Sequence, residues 1–266
     1  MSTEVEVQVR AEQAQPTRAR FVIPARELRY IIEGVAALVN EATFIATPEG
    51  LKLRALDPGR VAMVDLFMPP TVFEEYKAEA ETRFAIELES ILEMLRRVKK
   101  DDKVVFDVSN GRLVVALLGA KGRVERRFRL PLLDIAGQEL PAPRLNFTVE
   151  TKVLSDAFRD ALKDAELFSD SVRLKAEGEN LLMIARSDKG EVETRFSMSG
   201  GSLVGIDVKE PAEALYSVEL LNKIVSKAHR VSEVATLRFA ANMPLELTFD
   251  VAGGGTLRYF VAPRAE

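Results

Sequence analysis

The residue types that most often carry catalysis are scarce in this sequence. His229 is the only histidine and cysteine is absent, so a nucleophilic triad has no convincing base and thiolate chemistry is excluded. The run Gly253 to Gly255 lacks the following lysine of a phosphate-binding loop and stands between two strand-like segments, which predicts a hairpin. The spacing of the carboxylates indicates no metal cluster. We expect no enzyme, no metal and no cofactor, with a catalytic α+β protein as the remote alternative.

Composition limits the class of protein further. The chain has 266 residues, of which 47% are hydrophobic, enough for one large domain or two ordinary ones. The net charge of -4 argues against a generally basic nucleic-acid coat but leaves room for local basic patches. We find no apolar run of 18 residues and no apolar N-terminal segment, so we expect neither a membrane span nor a secretory signal.

Two hydrophobic periodicities divide the first half of the chain into short strands and amphipathic helices. The helices are predicted at Ala25 to Val39 and Ser90 to Val98. The strands are predicted at Phe21 to Ile23, Ala42 to Ala46, Gly50 to Ala55, Val61 to Phe67, Thr82 to Ile86, Lys103 to Val108, Leu113 to Leu118 and Arg123 to Leu130. Asn110-Gly111 predicts a tight hairpin, because both residues tolerate positive φ.

The second half repeats this order. Its helices are predicted at Lys152 to Asp164 and Leu220 to Ala228. Its strands are predicted at Phe147 to Val149, Val172 to Ala176, Asn180 to Ala185, Gly190 to Met198, Leu215 to Val218, Ala235 to Phe239, Leu245 to Val251 and Gly255 to Val261. The chain therefore contains four copies of one unit, in which a strand and a helix are followed by about three strands.

The repeat predicts an α+β fold of two similar domains, with antiparallel sheets and four helices on one face. We place the domains at residues 19–132 and 147–266. Residues 133–146 contain Pro141 and Pro143 and are predicted to be an interdomain connector. Residues 1–18 contain little to bury and are predicted to be a flexible extension.

Four stretches give the sequence a specific resemblance: LRALDPGRVAMVDL at 53–66, VFEEY at 72–76, MPLEL at 243–247 and LRYFVAPR at 257–264. Together with the repeat, which covers nearly the whole chain, they make it resemble proliferating cell nuclear antigen (PCNA), the archaeal and eukaryotic DNA sliding clamp. The resemblance implies a closed ring of three subunits around duplex DNA, with helices lining the hole and sheets outside. It also implies that DNA polymerase, the clamp loader, ligase and flap endonuclease dock through short peptide motifs, and that an archaeal member lies in the cytoplasm at the nucleoid.

If helices line the hole, their exposed faces should neutralise phosphates without reading bases. The basic residues at Ser90 to Val98 and its exit and at Leu220 to Ala228 and its exit are the strongest candidates, and those of the other two helices are weaker. The predicted DNA-facing residues are Arg26, Arg29, Arg96, Arg97, Lys99, Lys100, Arg159, Lys163, Lys223, Lys227 and Arg230. The alternative is that these cations are ordinary solvated helix faces.

The resemblance places a partner-peptide groove beside the connector. Matched position by position, its residues are Leu56, Val61, Leu140, Pro141, Met243, Pro244, Phe260, Ala262 and Pro263. Such a shallow apolar patch suits a one-turn helical plug with aliphatic and aromatic anchors. The alternative is that Leu56, Val61 and Phe260 are core residues of their strands.

The resemblance also implies that two edge strands pair between neighbouring subunits. One is basic, with Arg123, Arg126, Arg127 and Arg129, and the other is acidic, with Glu191 and Glu193. Complementary charge favours head-to-tail closure, whereas charges that merely protect exposed edges from aggregation are the alternative. The sequence leaves open whether the ring contains three copies of this chain or paralogous subunits.

Overall fold

The computed structural model describes residues 18–109, 111–119, 125–134 and 140–265. The predicted extension, except Arg18, and part of the predicted connector lie outside these ranges. The first half contains β1 (Ala19–Pro24), α1 (Ala25–Ala36), β2 (Glu41–Thr47), β3 (Gly50–Leu56), β4 (Ala62–Met68), a 3-10 turn (Pro70–Val72), β5 (Glu75–Ala78), β6 (Thr82–Glu87), α2 (Leu88–Leu95), β7 (Lys103–Ser109), β8 (Arg112–Leu118) and β9 (Glu125–Pro131).

The second half contains β10 (Val149–Leu154), α3 (Ser155–Glu166), β11 (Ser171–Glu177), β12 (Asn180–Ser187), β13 (Gly190–Phe196), β14 (Leu203–Val208), β15 (Ala212–Ser217), α4 (Val218–Ala228), β16 (Val234–Phe239), β17 (Leu245–Val251) and β18 (Gly255–Val261). The four-unit order is confirmed. The first unit of each half has one strand more than we predicted, β5 or β14, which pairs with the strand that opens that half. β5 was missed because four residues are too few to establish a periodicity.

The boundaries of all four helices differ from the prediction, and α4 begins at Val218, two residues before the predicted Leu220. α1 ends at Ala36 and not at Val39, and α2 runs from Leu88 to Leu95, earlier than predicted. α3 begins at Ser155, because residues 152–154 still belong to β10 and pair with β16. Each helix follows its strand without a loop and has an acidic residue in its first turn, where the helix dipole favours negative charge.

The units of each half interlock by exchanging strands. β1 pairs with β7 of the next unit, and β6 pairs back onto β2. Three antiparallel sheets result, with the orders β5-β1-β7-β8-β9, β14-β10-β16-β17-β18-β4-β3-β2-β6 and β13-β12-β11-β15. The nine-stranded sheet joins the two halves through β18 and β4. Within the described residues, β9 and β13 each pair with one strand only and form free sheet edges.

The four helices pack side by side in the order α2-α1-α4-α3. Their apolar faces and the inward residues of the strands share one hydrophobic core that extends through both halves. At the centre, Gly34 of α1 lies against β18 and α4. A Cβ at this glycine would stand 2.7 Å from Leu257 Cδ2 and 2.9 Å from Tyr259 Oη. The missing side chain therefore permits the close approach that unites the halves.

Two turn predictions can be compared with the described residues. Gly253 and Gly254 have φ of 87° and 89° and connect β17 to β18, so the predicted hairpin is confirmed. Gly111 has φ of 73° at the turn between β7 and β8, as the Asn110-Gly111 prediction requires, although Asn110 itself lies outside the described residues.

Candidate functional site

The exposed faces of the helices carry the cations of the first candidate surface. Beyond the end of α2, Arg96, Arg97, Lys99 and Lys100 are all exposed, and so are Lys223 and Lys227 on α4. Arg96 pairs with Glu89 at 2.9 Å, and both side chains are well exposed, so this pair adds little stability. In the described part of the chain, no carboxylate pairs with the other five: Arg97, Lys99, Lys100, Lys223 and Lys227. These five are free to meet an anionic ligand.

The weaker candidates on α3 are engaged by carboxylates. Arg159 binds Asp156 at 2.8 Å and Asp160 at 3.0 Å, and Lys163 lies 3.4 Å from Asp160. The hydrogen bond from Arg159 lowers the pKa of the Asp160 carboxyl. Asp164 and Glu166 add exposed negative charge to the same helix. The exposed face of α3 is therefore acidic overall.

A cluster that the sequence did not predict joins α1 to the end of α4. Glu33 of α1 accepts a hydrogen bond from Arg29 at 2.9 Å and another from Arg230, which also lies over the ring of Tyr30. Arg26 bonds the Tyr30 hydroxyl at 2.9 Å. One carboxylate thus offsets part of the charge of two arginines. The contact of Glu33 with Arg230 spans the two halves, so no local sequence pattern could reveal it.

His229 caps the C-terminus of α4. Its Nδ1 lies 2.9 Å from the Val225 carbonyl oxygen, which only an N–H donor can satisfy, so the neutral ring carries its proton on Nδ1. Nε2 lies 3.9 Å from Asp156 of α3. His229 thus lies directly after the last residue of α4. Among the described residues, no group of three histidines or carboxylates could hold a metal ion.

The second candidate surface lies on the outer face of the nine-stranded sheet, the face away from the helices. Leu56, Met63 and Phe260 are directly paired on β3, β4 and β18, so their side chains stand side by side. Met63 was not predicted; its place opposite Leu56 became visible only with the register. Phe260 is 8% exposed and Val61 is 48% exposed. A buried floor and an exposed apolar rim are therefore adjacent.

The loop at one end of this surface is held by a single carboxylate. Asp57 accepts hydrogen bonds from the backbone N–H groups of Gly59, Val61 and Ala62 at 2.9, 2.8 and 2.7 Å. Ala62 opens β4, and the N–H of Ala262 donates to the Val61 carbonyl at 2.8 Å. The chain end at Ala262-Pro263 is thereby fixed beside Val61. Met243 and Pro244 precede β17, the neighbour of β18, and are half-buried.

Arg54 fastens the connector to the sheet next to this surface. Its guanidinium donates to the carbonyl of Leu140 at 2.7 Å and to the carboxylate of Asp65 at 3.1 and 3.2 Å. Arg258 binds the same carboxylate at 2.8 Å. A cleft of about 370 Å³ lies between these groups and Leu140. Leu140 is half-buried and Pro141 is exposed, and Leu140 lies beside Arg54, two residues along β3 from Leu56.

The third candidate surface consists of the free edges of β9 and β13. On β9, Arg126 faces the helix side, while Arg127 and Arg129 are exposed on the outer face. On β13, Glu191 and Glu193 are exposed on the outer face. Arg123 lies outside the described residues. The free edges thus carry opposite excess charge, but they lie on different sheets of one chain and do not meet within it.

Known proteins match the chain over nearly its whole length. The family models "Proliferating cell nuclear antigen, N-terminal domain" and "Proliferating cell nuclear antigen, C-terminal domain" match residues 18–137 and 142–264. A DNA polymerase sliding clamp of Thermofilum pendens is 63% identical over 248 residues, which cover 93% of this chain and 99% of that protein.

Two solved structures are similar throughout. PCNA from Thermococcus kodakaraensis is 32% identical with a TM-score of 0.87, covering 92% of this chain and 100% of that one. A chain of the PCNA2-PCNA3 complex from Sulfolobus tokodaii is 30% identical with a TM-score of 0.85, covering 93% and 100%.

Proposed function

Because the chain belongs to the proliferating cell nuclear antigen family, we propose that it functions as one subunit of a DNA polymerase sliding clamp that encircles duplex DNA. Members of this family are non-catalytic, so the chain is a tethering platform and not an enzyme. Beyond family membership, the proposal rests on the single row of helices, because cations without a carboxylate partner lie just after α2 and on α4. That row gives one continuous surface for the phosphates of a duplex.

The main DNA contacts are assigned to the residues after α2 and on α4: Arg97, Lys99, Lys100, Lys223 and Lys227. Arg26, Arg29, Arg96 and Arg230 are secondary, since each already bonds a protein group. Arg159 and Lys163 contribute least, because the acidic face of α3 repels phosphate. Few, screened and sequence-blind contacts suit a protein that must move along DNA.

The groove of Leu56, Val61, Met63 and Phe260 is assigned to partner peptides, together with Leu140, Pro141, Met243, Pro244, Ala262 and Pro263 at its margins. Its buried floor and exposed rim support this use, since apolar anchors of a short helical plug need both. We propose DNA polymerase, the clamp loader, ligase and flap endonuclease as the partners. We propose residues 133–146 as the connector between domains 19–132 and 147–266, and the hydrogen bond from Arg54 to the Leu140 carbonyl supports a place for Leu140 beside the groove.

The free edges β9 and β13 are assigned to contacts between subunits in a ring of three. The residues proposed for this contact are Arg123, Arg126, Arg127, Arg129, Glu191 and Glu193. Among the described residues, no helix has the length and apolar character needed to cross a bilayer. We propose a location at the nucleoid, where the DNA is.

Charge reversal tests the DNA-facing surface. Lys223→Glu/Lys227→Glu should shorten retention on circular DNA after loading. The log–log slope of binding against salt should fall by about 1 for each phosphate that the variant no longer neutralises. The matched control is Lys77→Glu/Lys175→Glu, which changes net charge equally on outward strand positions. Equal retention of both variants would remove the helix row as the DNA-facing surface.

Truncation of exposed groove residues tests the partner site. Val61→Ser/Leu140→Ala should weaken a partner-peptide complex about tenfold or more and reduce stimulation of DNA polymerase. Neither side chain is in the core, so the ring should remain intact by light scattering. Val204→Ser is the control, because Val204 is 47% exposed but lies on the edge strand β14. Unchanged stimulation in the groove variant would move the partner site elsewhere.

A further inference from the structure

The outer face of the nine-stranded sheet carries a cationic cleft of about 370 Å³ beside the partner groove. Among the described residues that line the cleft, four are cationic and one is a carboxylate: Lys52, Arg54, Arg83, Arg258 and Asp65. The half-buried Ile45 and Phe67 lie on its floor, and Leu140 of the predicted connector also lines it. The cleft therefore combines an excess of positive charge with apolar surface.

The strand register relates this cleft to the partner groove. The groove residues form a row across β3, β4 and β18, and the next row of the outer face, two residues along each strand, is Arg54, Asp65 and Arg258. The row after that contains Lys52 and Phe67. Two residues of a strand span about 7 Å. A partner segment that leaves the groove in an extended conformation thus reaches the cleft with its second residue.

The positive charge of the cleft is only partly compensated. Asp65 is shared by Arg54 and Arg258, so its one negative charge balances one of these two cations. Lys52 forms no ion pair within the described part of the chain, and the exposed Glu49 attracts it only from a distance. Positive charge therefore remains on both sides of Phe67 for a ligand to neutralise.

Arg258 also has hydrogen-bond donors that the protein does not use. Its Nη2 donates to Asp65 at 2.8 Å, whereas its Nε has no acceptor among the described residues. Arg54, by contrast, binds both Asp65 and the connector, and Arg83 binds Glu81 at 2.7 Å. Because the Arg258 side chain is 35% exposed, a ligand can reach it and accept a charge-assisted hydrogen bond from it.

The carboxylate of a peptide side chain would use both properties of the cleft. The planar guanidinium group matches the geometry of a carboxylate. Phe67 lies directly opposite Lys52 and diagonal to Arg258, so both long side chains reach a carboxylate whose methylene stem lies on the ring. A free inorganic anion would leave the apolar floor unused. Charge complementarity and continuity with the groove therefore favour a peptide.

Given the clamp function and the partner groove proposed above, we infer that the cleft binds an aspartate or glutamate of a partner peptide, two residues beyond the helical plug. The inference rests on that groove, because the bound plug brings the acidic residue to Arg258. The cleft thus determines specificity: a partner with the acidic residue binds more tightly than one that has the same plug and an uncharged residue there.

Paired peptides test the inference with the purified full-length chain. Each is a synthetic helical plug with aliphatic and aromatic anchors and a four-residue extension at its N- or C-terminus, with glutamate or glutamine as the second extension residue. In one of the two extensions, the glutamate peptide should bind about three- to tenfold more tightly, and this preference should fall as salt rises. Equal affinity of the glutamate and glutamine peptides in both extensions would overturn the inference.

Variants of the cleft are compared by the ratio of the two affinities, which cancels any damage to the groove itself. Arg258→Gln and Lys52→Gln should each lower this ratio toward one, and Lys52→Glu should lower it further. The matched control is Lys152→Gln, which removes the same charge from an exposed position on β10, in the same row of the sheet as Arg258. The control should keep the wild-type ratio. An equal fall in the control would show an effect of net charge and overturn the cleft as the site.

Cysteine trapping gives a measurement that does not depend on charge. The chain has no cysteine, so Lys52→Cys introduces a sole thiol. This thiol should form a mixed disulfide with a peptide that carries cysteine as the fourth extension residue, and it should react faster than the thiol of Lys152→Cys. An excess of the same peptide with serine in place of cysteine should slow the reaction. Equal rates at the two positions would contradict the path of the extension over the cleft.

Failure of the inference and failure of the proposed function give different results. A wild type that binds the plug peptides without preferring glutamate would overturn the inference and leave the groove and the clamp function standing. A wild type that is retained on circular DNA but binds none of the plug peptides would remove the groove, and the inference with it, without affecting the ring around DNA.

Discussion

Asp65→Asn tests whether the ion pairs of Asp65 hold the connector in place in addition to stabilising the sheet. The Asp65 carboxylate, with a side chain 7% exposed, is shared by Arg54 and Arg258 on the strands to either side. Arg54 in turn holds the carbonyl of Leu140. Removing the charge leaves two neighbouring guanidinium groups without their common counter-ion and frees Arg54 to leave the connector.

The size of the effect follows from the burial of the three groups. Removing one partner of a fully buried ion pair costs about 3–5 kcal/mol. Arg54 and Arg258 keep 25% and 35% of their side-chain exposure, so solvent takes up part of the charge and we expect about 2–3 kcal/mol. In a chain of this length, that lowers the melting temperature by about 4–12 °C.

Glu150→Gln on the same sheet face is the matched control. Glu150 binds Arg238 at 2.8 Å, and Arg238 also contacts Glu246 at 3.3 Å, so one carboxylate remains after the change. In this structure Arg238 makes no hydrogen bond to a described residue of the connector. The control should therefore lose about 1 kcal/mol or less and bind a partner peptide normally.

The assay combines chemical denaturation at one protein concentration with titration of a fluorescent partner peptide. Asp65→Asn should lose both stability and peptide affinity, whereas Glu150→Gln should keep its affinity. If Asp65→Asn bound the peptide as well as the wild type, the connector would not depend on Arg54. If both variants lost affinity equally, the loss would reflect the sheet as a whole.

Three further changes follow from individual contacts. Tyr259→Phe should be neutral or stabilising by calorimetry, since the Tyr259 hydroxyl is buried without a described hydrogen-bond partner; a loss above 1 kcal/mol would reveal a partner. Gly34→Ala should lower the free energy of unfolding by about 1–3 kcal/mol through overpacking, and the better helix propensity of alanine should offset up to about 1 kcal/mol of that loss. The loss should be smaller in the Tyr259→Phe background, which lacks the hydroxyl; equal losses in both backgrounds would locate the clash at Leu257 instead. Hydrogen bonds, first from Ser171 and then from Arg264, lower the pKa of the Asp170 carboxyl. Because the pKa is lower in the folded state, the Asp170 carboxylate stabilises the fold above its unfolded pKa, and this stability is lost as the pH falls. Hydrogen exchange at the Arg264 amide should therefore speed up below about pH 4. Exchange independent of pH, after correction for intrinsic rates, would contradict this role.

Much of the local structure could be predicted from the sequence. Strand and helix periodicities depend on residues two to four positions apart, so the four units, their apolar faces and the Gly253-Gly254 hairpin were readable directly. The boundaries of the helices and strands were harder to predict. Residues 152–154 have the composition of a first helical turn, yet they complete β10 because β16 pairs with them. The strand β5 could be recognised only from its pairing with β1, which the sequence does not show.

The sequence by itself determined the repeat, the basic helix faces, the opposite charges of two strands, and the lack of cysteine and of further histidines. Tertiary structure decided which strands distant in the sequence become neighbours. That arrangement produces the groove around Met63, the ion pair of Arg230 with Glu33 and the Arg54–Asp65–Arg258 group. The reason is that a charge in sequence has no partner until the strand order is set. Arg258 and Asp65 are far apart along the chain and become neighbours only because β18 meets β4.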